Sequence, residues 1–364
     1  MINWAPVLFL TIYQAILLVA LPLYLIFGHP TLTLFTLTFV LFWVTGTAIT
    51  FGYHRLFSHR AFKTNPLIET LTLFFASLTF QGSALRWSYE HRLHHAHVDT
   101  EKDPYSITKG FWFAHCLWLI NKPKPIEPTV VADLMKNPRV MFQHRHAKSC
   151  MILSNVFTTL LIAYFTQDLL GAFILTFGLR LFCVHHCTWF INSLAHTWGS
   201  QHFCTEHTAV DNFIISLLTF GEGYHNYHHT YARDYRNGTR WYQFDPTKWI
   251  IWTLSKCGLA TNLRRVSPEL ISKKIIHERT HLILDQFESR FNAATKELAD
   301  HLDTLSNHLS DQLTRLNALK QSLSPSREIR VLRRSIRLEM RAWKATLRAL
   351  HYQLNRNLPL QTTE

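Results

Sequence analysis

Residues 7–51 read "VLFLTIYQAILLVALPLYLIFGHPTLTLFTLTFVLFWVTGTAITF" and contain no Asp, Glu, Lys or Arg. The stretch divides into two apolar runs, 7–27 and 31–51, each close to the ~20 residues that a helix needs to cross a bilayer. Only Gly28, His29 and Pro30 separate them. So short a connection leaves no room for a soluble segment and predicts a hairpin of two antiparallel spanning helices. A second hairpin follows from the runs 151–167 and 169–190, which meet at Asp168 and include Arg180. The N-terminal run lacks the basic leader and small-residue cleavage site of a signal peptide, and another span follows it at once.

Charge placement orients these hairpins. The connections at 28–30 and 167–168 carry no Lys or Arg, whereas 52–150 is rich in both. By the positive-inside rule, both termini and the large loops are expected on the cytoplasmic face. The formal charge of +13 suits an anionic leaflet. No nucleic-acid-binding motif accompanies it, so no nucleic-acid partner is expected. The six cysteines form no C-x-x-C pair and read as reduced, structural thiols.

The chemistry is concentrated in histidines. "HRLFSH" supplies His54 and His59, "HRLHH" supplies His91, His94 and His95, and "GEGYHNYHHTY" supplies His225, His228 and His229. One cluster alone could be surface bases or core hydrogen-bonding groups. Three clusters from distant parts of one chain, two sharing H-x-x-H-H, argue for a common purpose. On a helix, positions i, i+3 and i+4 share a face and can serve one metal or two neighbouring ones. His54 and His59 are five apart, about 140° on an ideal helix, so they converge only where the second span ends or loosens. Imidazole suits Zn, Cu, Fe and Ni, so ligand type alone does not name the metal. A histidine-rich metal transporter would place ionisable groups inside the spans, and the first two spans have none.

The three histidine words, together with "DTEKDPYSITKGFWFAHCLWL" and "NSLAHTWG", resemble the histidine boxes of the membrane fatty-acyl desaturases, specifically the delta-9 acyl-CoA desaturase family. The similarity runs from about residue 30 to 265. It implies an all-α integral membrane fold with four transmembrane helices and a cytosolic helical cap carrying a di-metal site. It also implies two iron ions, O2 as co-substrate, and two electrons from a separate donor such as a ferredoxin or a b-type cytochrome with its reductase. The product would be a cis double bond at carbon 9 of a saturated C16 or C18 chain. A histidine-box lipid hydroxylase or ketolase is the nearest alternative. The resemblance assigns metal ligation to His54, His59, His91, His94, His95, His225, His228 and His229, and adds His196 with a water-mediated Asn192. It places Trp87 and Thr188 at the kink of an acyl tunnel, and Phe42 and Gly46 near the tunnel's closed end. Tyr89 and Glu90 stand where mammalian members carry an Arg-Asp pair, so the acyl carrier stays open between CoA, lipid and carrier protein.

Residues 266–364 lie outside the resemblance. Apolar residues from Leu284 through Phe287, Phe291 and Ala294 to Leu316 recur every three or four positions, as do those from Ile329 to Leu350. The pattern predicts a C-terminal amphipathic helical hairpin of coiled-coil type, broken at "SPS" (324–326). The second helix carries an arginine-rich face toward membrane lipid or a protein partner. The domains expected are thus 1–265 and 266–364.

Overall fold

The computed structural model describes residues 2–287, 293–322 and 326–356. Four helices are long and apolar enough to cross a membrane: Trp4–Phe27, Leu32–Ser58, Ala147–Thr166 and Leu169–His196. Inside lipid, every backbone N–H and C=O must be satisfied within the segment, which a helix alone does for a single span. The connections turn where the backbone becomes left-handed, at His29 (φ 46°) and Gln167 (φ 53°). Each next span then opens on a cap: Thr31 Oγ1 accepts from Leu34 N at 3.2 Å, and Asp168 Oδ1 accepts from Gly171 N at 2.7 Å. Leu18, Phe27, Leu32 and Phe165 are among the apolar side chains left exposed on the outside of the bundle.

Two spans outrun the apolar runs that announced them. The second continues past Phe51 to Ser58, and the fourth past Phe190 to His196. Their polar ends are buried in protein rather than lipid, so hydropathy falls while the helix goes on. Residues Ile49–Ser58 are all buried and wound as a wide π-type helix, closed at its end by His59 N donating to His54 O at 3.1 Å. Arg180 is also buried within its span. Its guanidinium donates to Thr176 O (2.6 Å), Leu78 O (3.0 Å) and Asn155 Oδ1 (2.7 Å), and so faces the bundle interior.

Over the ends of the spans lies a layer of shorter helices, including Pro66–Ser77, Ala84–His97, His225–Thr230 and Pro246–Lys256. Ser83 caps the histidine-bearing Ala84–His97 helix by accepting from Arg86 N at 3.2 Å. A two-residue antiparallel ladder, Lys63–Thr64 with Ala260–Thr261, is the one sheet among the described residues. It ties the segment after the second span to the chain beyond the third histidine cluster. Buried Phe51, Tyr53, Phe57, Leu85 and Tyr89 form the core between this layer and the spans.

The chain divides into two compact units, Met1–Gln201 with Glu206–Arg265, and His202–Thr205 with Val266–Glu364. The second contains three helices, Pro268–Phe287, Ala293–Gln321 and Ser326–Arg356, where the sequence pattern pointed to two. The 284–316 stripe is shared between the first two. The extra helix escapes a periodicity reading because its buried Ile276 and Ile283 stand seven apart among Lys and His residues. Phe291 and the 324–325 part of the expected break lie outside the described residues. Leu302, Leu309, Leu313, Ile336, Trp343 and Leu350 fill the core, and Trp343 Nε1 donates to Thr280 Oγ1 at 3.0 Å. Trp343→Ala should therefore destabilise this unit by about 3–5 kcal/mol. Faster proteolysis of the full chain within 266–364, with the membrane unit uncut, would report it.

Candidate metal centre

The helix that carries "HRLHH" puts His91, His94 and His95 on one face, and the His225–Thr230 helix does the same for His225, His228 and His229. The π-type turn solves the five-residue spacing of the first cluster. Residues i and i+5 stack in such a turn, and the His54 and His59 ring centroids lie 4.8 Å apart.

The imidazoles sort into two groups. His54, His59, His91, His95 and His228 make one, and His94, His196, His225 and His229 the other; in each, the candidate ligand atoms lie within 4.8 Å of one another. Nε2 faces Nε2 throughout: His54 to His228 at 2.9 Å, His228 to His95 at 3.0 Å and His59 to His91 at 2.8 Å in the first group. The second group has His94 to His229 at 3.3 Å and His229 to His225 at 3.1 Å.

The outward nitrogens of four of these rings face other groups. His54 Nδ1 lies 3.0 Å from Glu222 Oε2, His94 Nδ1 2.9 Å from Asp103 Oδ2, and His91 Nδ1 3.2 Å from the Tyr105 hydroxyl. His196 Nδ1 donates to Thr208 Oγ1 (2.8 Å), whose own hydroxyl donates to Asp99 at 2.7 Å. A neutral imidazole has one N–H and one lone pair. Where the proton is spent on a carboxylate or threonine at Nδ1, Nε2 offers a lone pair inward. Buried lone pairs converging on each other repel unless a cation lies between them, and His196 Nε2 has no hydrogen-bond partner among the described residues. The residues therefore fit two transition-metal ions held by nitrogen, with carboxylates orienting the ligands from behind.

Burial, and then the neighbouring imidazoles, hold His59, His91, His95, His225, His228 and His229 well below the usual histidine range. They are neutral near pH 7, the form a metal binds. Burial pushes Glu222 up, but His54 and Arg55 outweigh it and bring the carboxyl down to about 2. Burial raises Asp211 to about 7; it accepts from Tyr227 N at 3.1 Å and so supports the third cluster's helix without touching a ligand ring. Glu206 is exposed.

His54 and His91 also stand in the wall of a cavity of about 390 Å³ whose lining includes Phe9, Leu10, Ile49, Phe80 and Trp189. Trp87, Thr188 and Asn192 line it too. Asn192 thus borders the same cavity as His54 and His91. Gln81, which sequence reasoning missed, joins two of these: its Nε2 donates to Thr188 Oγ1 (3.1 Å) and its Oε1 accepts from Trp87 Nε1 (3.3 Å). A loop glutamine sends no signal in a sequence. Phe42 and Gly46 do not line this cavity. They pack on Phe220, whose ring is 5.0 Å from that of Phe42 and would meet a Cβ at Gly46 at 2.1 Å.

The sequence profile of the family described as fatty acid desaturase matches residues 28–258, more than half of the chain. This chain belongs to the fatty acid desaturase family. It is 40% identical over 286 residues, 77% of its length, to a probable acyl-CoA desaturase of Schizosaccharomyces pombe. It is 40% identical over 238 residues (65% of its length) to acyl-CoA desaturase 1 of Saccharomyces cerevisiae. An sn-1 stearoyl-lipid 9-desaturase of Anabaena variabilis is 34% identical over 230 residues, 62% of this chain and 82% of that protein. The chain spans 60% and 47% of the two fungal relatives. In this desaturase-family chain, both histidine groups fall inside the matched region, whereas Phe9 and Leu10 of the cavity lining precede it.

Removing an orienting carboxylate leaves the imidazoles present but loosely aimed, so Asp103→Asn and Glu222→Gln should each weaken metal affinity about 10–100-fold. His196→Ala should lower bound metal as much as His225→Ala. Metal content of the purified variants after dialysis against a graded chelator checks both.

Proposed function

We propose that the protein introduces a cis double bond at carbon 9 of a saturated C16 or C18 fatty-acyl chain, with a histidine-held pair of irons, O2 and electrons from a separate donor protein. The observation that carries this reading is two sets of inward-facing imidazoles, one of which stands, through His54 and His91, on the wall of an apolar cavity. The relatives are named acyl-CoA desaturases and a stearoyl-lipid 9-desaturase, which supports the same reaction. Both termini and the metal centre belong on the cytoplasmic face, on the strength of the charge-free connections between paired spans.

The reaction converts –CH2–CH2–, O2, two electrons and two protons into –CH=CH– and two waters. Bound iron supplies the oxygen chemistry needed to take hydrogen from an unactivated methylene, which no side chain can do. His54, His59, His91, His95 and His228 would hold one ion; His94, His196, His225 and His229 would hold the other. The chain's remaining contribution is position. A saturated chain has no polar mark near its middle, so only the shape of the cavity selects a bond. Trp87, Gln81 and Thr188, joined by hydrogen bonds, fix the wall that the chain bends against. Apolar lining excludes water from the reacting carbons. The lining residues Asn121 and Pro123 are exposed, whereas Ile49 and Thr50 are buried, so the carrier end of the substrate belongs at the former and the methyl end at the latter. Relatives whose names specify CoA and lipid both match, and the carrier is left to experiment.

Expression in a host lacking its own desaturase, followed by fatty-acid analysis with double-bond location, should give cis-9 C16 or C18 products. Hydroxylated or ketonic lipids, or an unchanged profile, would refute the proposal. Protein from iron-replete cells should contain two irons per chain, and zinc in their place with activity that survives iron chelation would overturn the metal assignment.

A further inference from the structure

We infer that the exposed face of the last helix, Ser326–Arg356, is a docking surface for an anionic bilayer. The helix lies outside the family match, which ends at 258. Its 31 residues hold nine Lys or Arg against two Glu, +7 of the chain's +13. Residues seven apart share a face of an α-helix. Arg327, Arg334, Arg341 and Arg348 therefore form one exposed row, and Arg330, Arg337 and Lys344 a second beside it. Next to the first runs a third exposed row, Val331, Leu338, Ala345 and Tyr352. The core-facing stripe of Ile336, Trp343 and Leu350 occupies the other side of the helix.

The helix's own two glutamates are engaged elsewhere. Glu328 pairs with Arg315 of the neighbouring helix at 3.0 Å, and Glu339 accepts from Gln312 (2.6 Å) and lies 2.8 Å from His308. Among the described residues, Arg334, Arg337, Arg341, Lys344 and Arg348 make no ion pair, and Arg330, Arg337 and Arg348 reach only backbone carbonyls of their own helix. Like charges three and four apart repel along a helix. Such a face is relieved by an external polyanion.

The occupant follows from the apolar row and from the tether. A partner helix packing as a coiled coil buries large apolar side chains at two positions per heptad, and here the row beside Val331, Leu338, Ala345 and Tyr352 is Ser335, Ala342 and Ala349, which leaves only one row with large apolar side chains. A shallow apolar row beside a broad cationic band suits a headgroup surface, where leucine and tyrosine sit at the boundary and arginines meet lipid phosphates. The helix is on the same chain as four membrane spans, so a bilayer is always within its reach at high effective concentration. None of this depends on the reaction catalysed.

The test uses the full chain with Cys257→Ser, removing the exposed native thiol, and Ala345→Cys carrying an environment-sensitive fluorophore. It is reconstituted in discs of phosphatidylcholine alone or with phosphatidylserine. The expected result is a blue shift and protection from an aqueous quencher only in the anionic discs. Both should reverse on going from 0.1 to 1 M salt, as the screening length falls from about 10 Å to about 3 Å. Arg334, Arg337, Arg341 and Arg348 changed together to Gln should abolish the shift, while the same four changed to Lys should keep it, with unchanged helicity in both. Equal emission in both discs overturns the proposal. So does a salt-insensitive shift, or a shift in neutral discs produced by added RNA or acidic polypeptide and not by anionic lipid.

Discussion

Glu222 is the point at which the membrane unit is locked. One carboxylate oxygen lies 3.0 Å from His54 Nδ1, the other accepts from Arg55 at 2.8 Å, and all three groups are buried. Arg55 in turn reaches Asp245 at 2.9 Å and the Tyr235 carbonyl at 2.8 Å. Asn237 Nδ2 completes the carboxylate at 2.5 Å. A buried charge without these partners would cost several kcal/mol, so the second span, the third histidine cluster and the loop beyond it must arrive together. The imidazole groups inherit their geometry from that ion network, because the third cluster's helix begins three residues after Glu222.

The same arrangement reconciles two opposed demands. Imidazoles that bind metal need lone pairs inward and protons outward, yet an acyl chain needs a dry, apolar wall. Directing Nδ1 of His54, His94 and His196 to Glu222, Asp103 and Thr208 puts the polar partners on the far side of the rings. Phe9, Leu10 and Ile49 are then free to line the cavity from the spans. Where a charge does enter a span, as Arg180 does, it is spent on carbonyls inside the bundle and never meets lipid.

How much of this the sequence disclosed depended on the range of the signal. A long apolar run is a local and robust signal even with one Arg180 in it, so the four spans were legible, but their ends were not: polar residues buried by the cap look the same as polar residues in water. Recurrent H-x-x-H-H exposed two of the histidine clusters, whereas the five-residue step from His54 to His59 conflicts with an α-helix and makes sense only once the turn is wide. His196 and Asn192 were nameable only through resemblance; His196 stands among the imidazoles, and Asn192 on the cavity wall that His54 and His91 share. Gln81 and Thr208 act through contacts with residues more than ten positions away, which no local pattern records. The Pro268–Phe287 helix was lost in its own charges.

The wide turn at Ile49–Ser58 has a consequence for the chain as a polymer. A π-type turn is an α-helix holding one residue more than its pitch allows, kept there by surrounding contacts. Each residue of an α-helix advances the face by about 100°. The second span therefore stores a surplus residue, and excising any single position between His54 and His59 would relax the helix to its ordinary pitch and leave the two rings four apart. They would remain neighbours, but His59 and everything after it would arrive one step short of the Lys63–Thr64 ladder. The residue count of the span is thus tied to the register of a two-residue sheet.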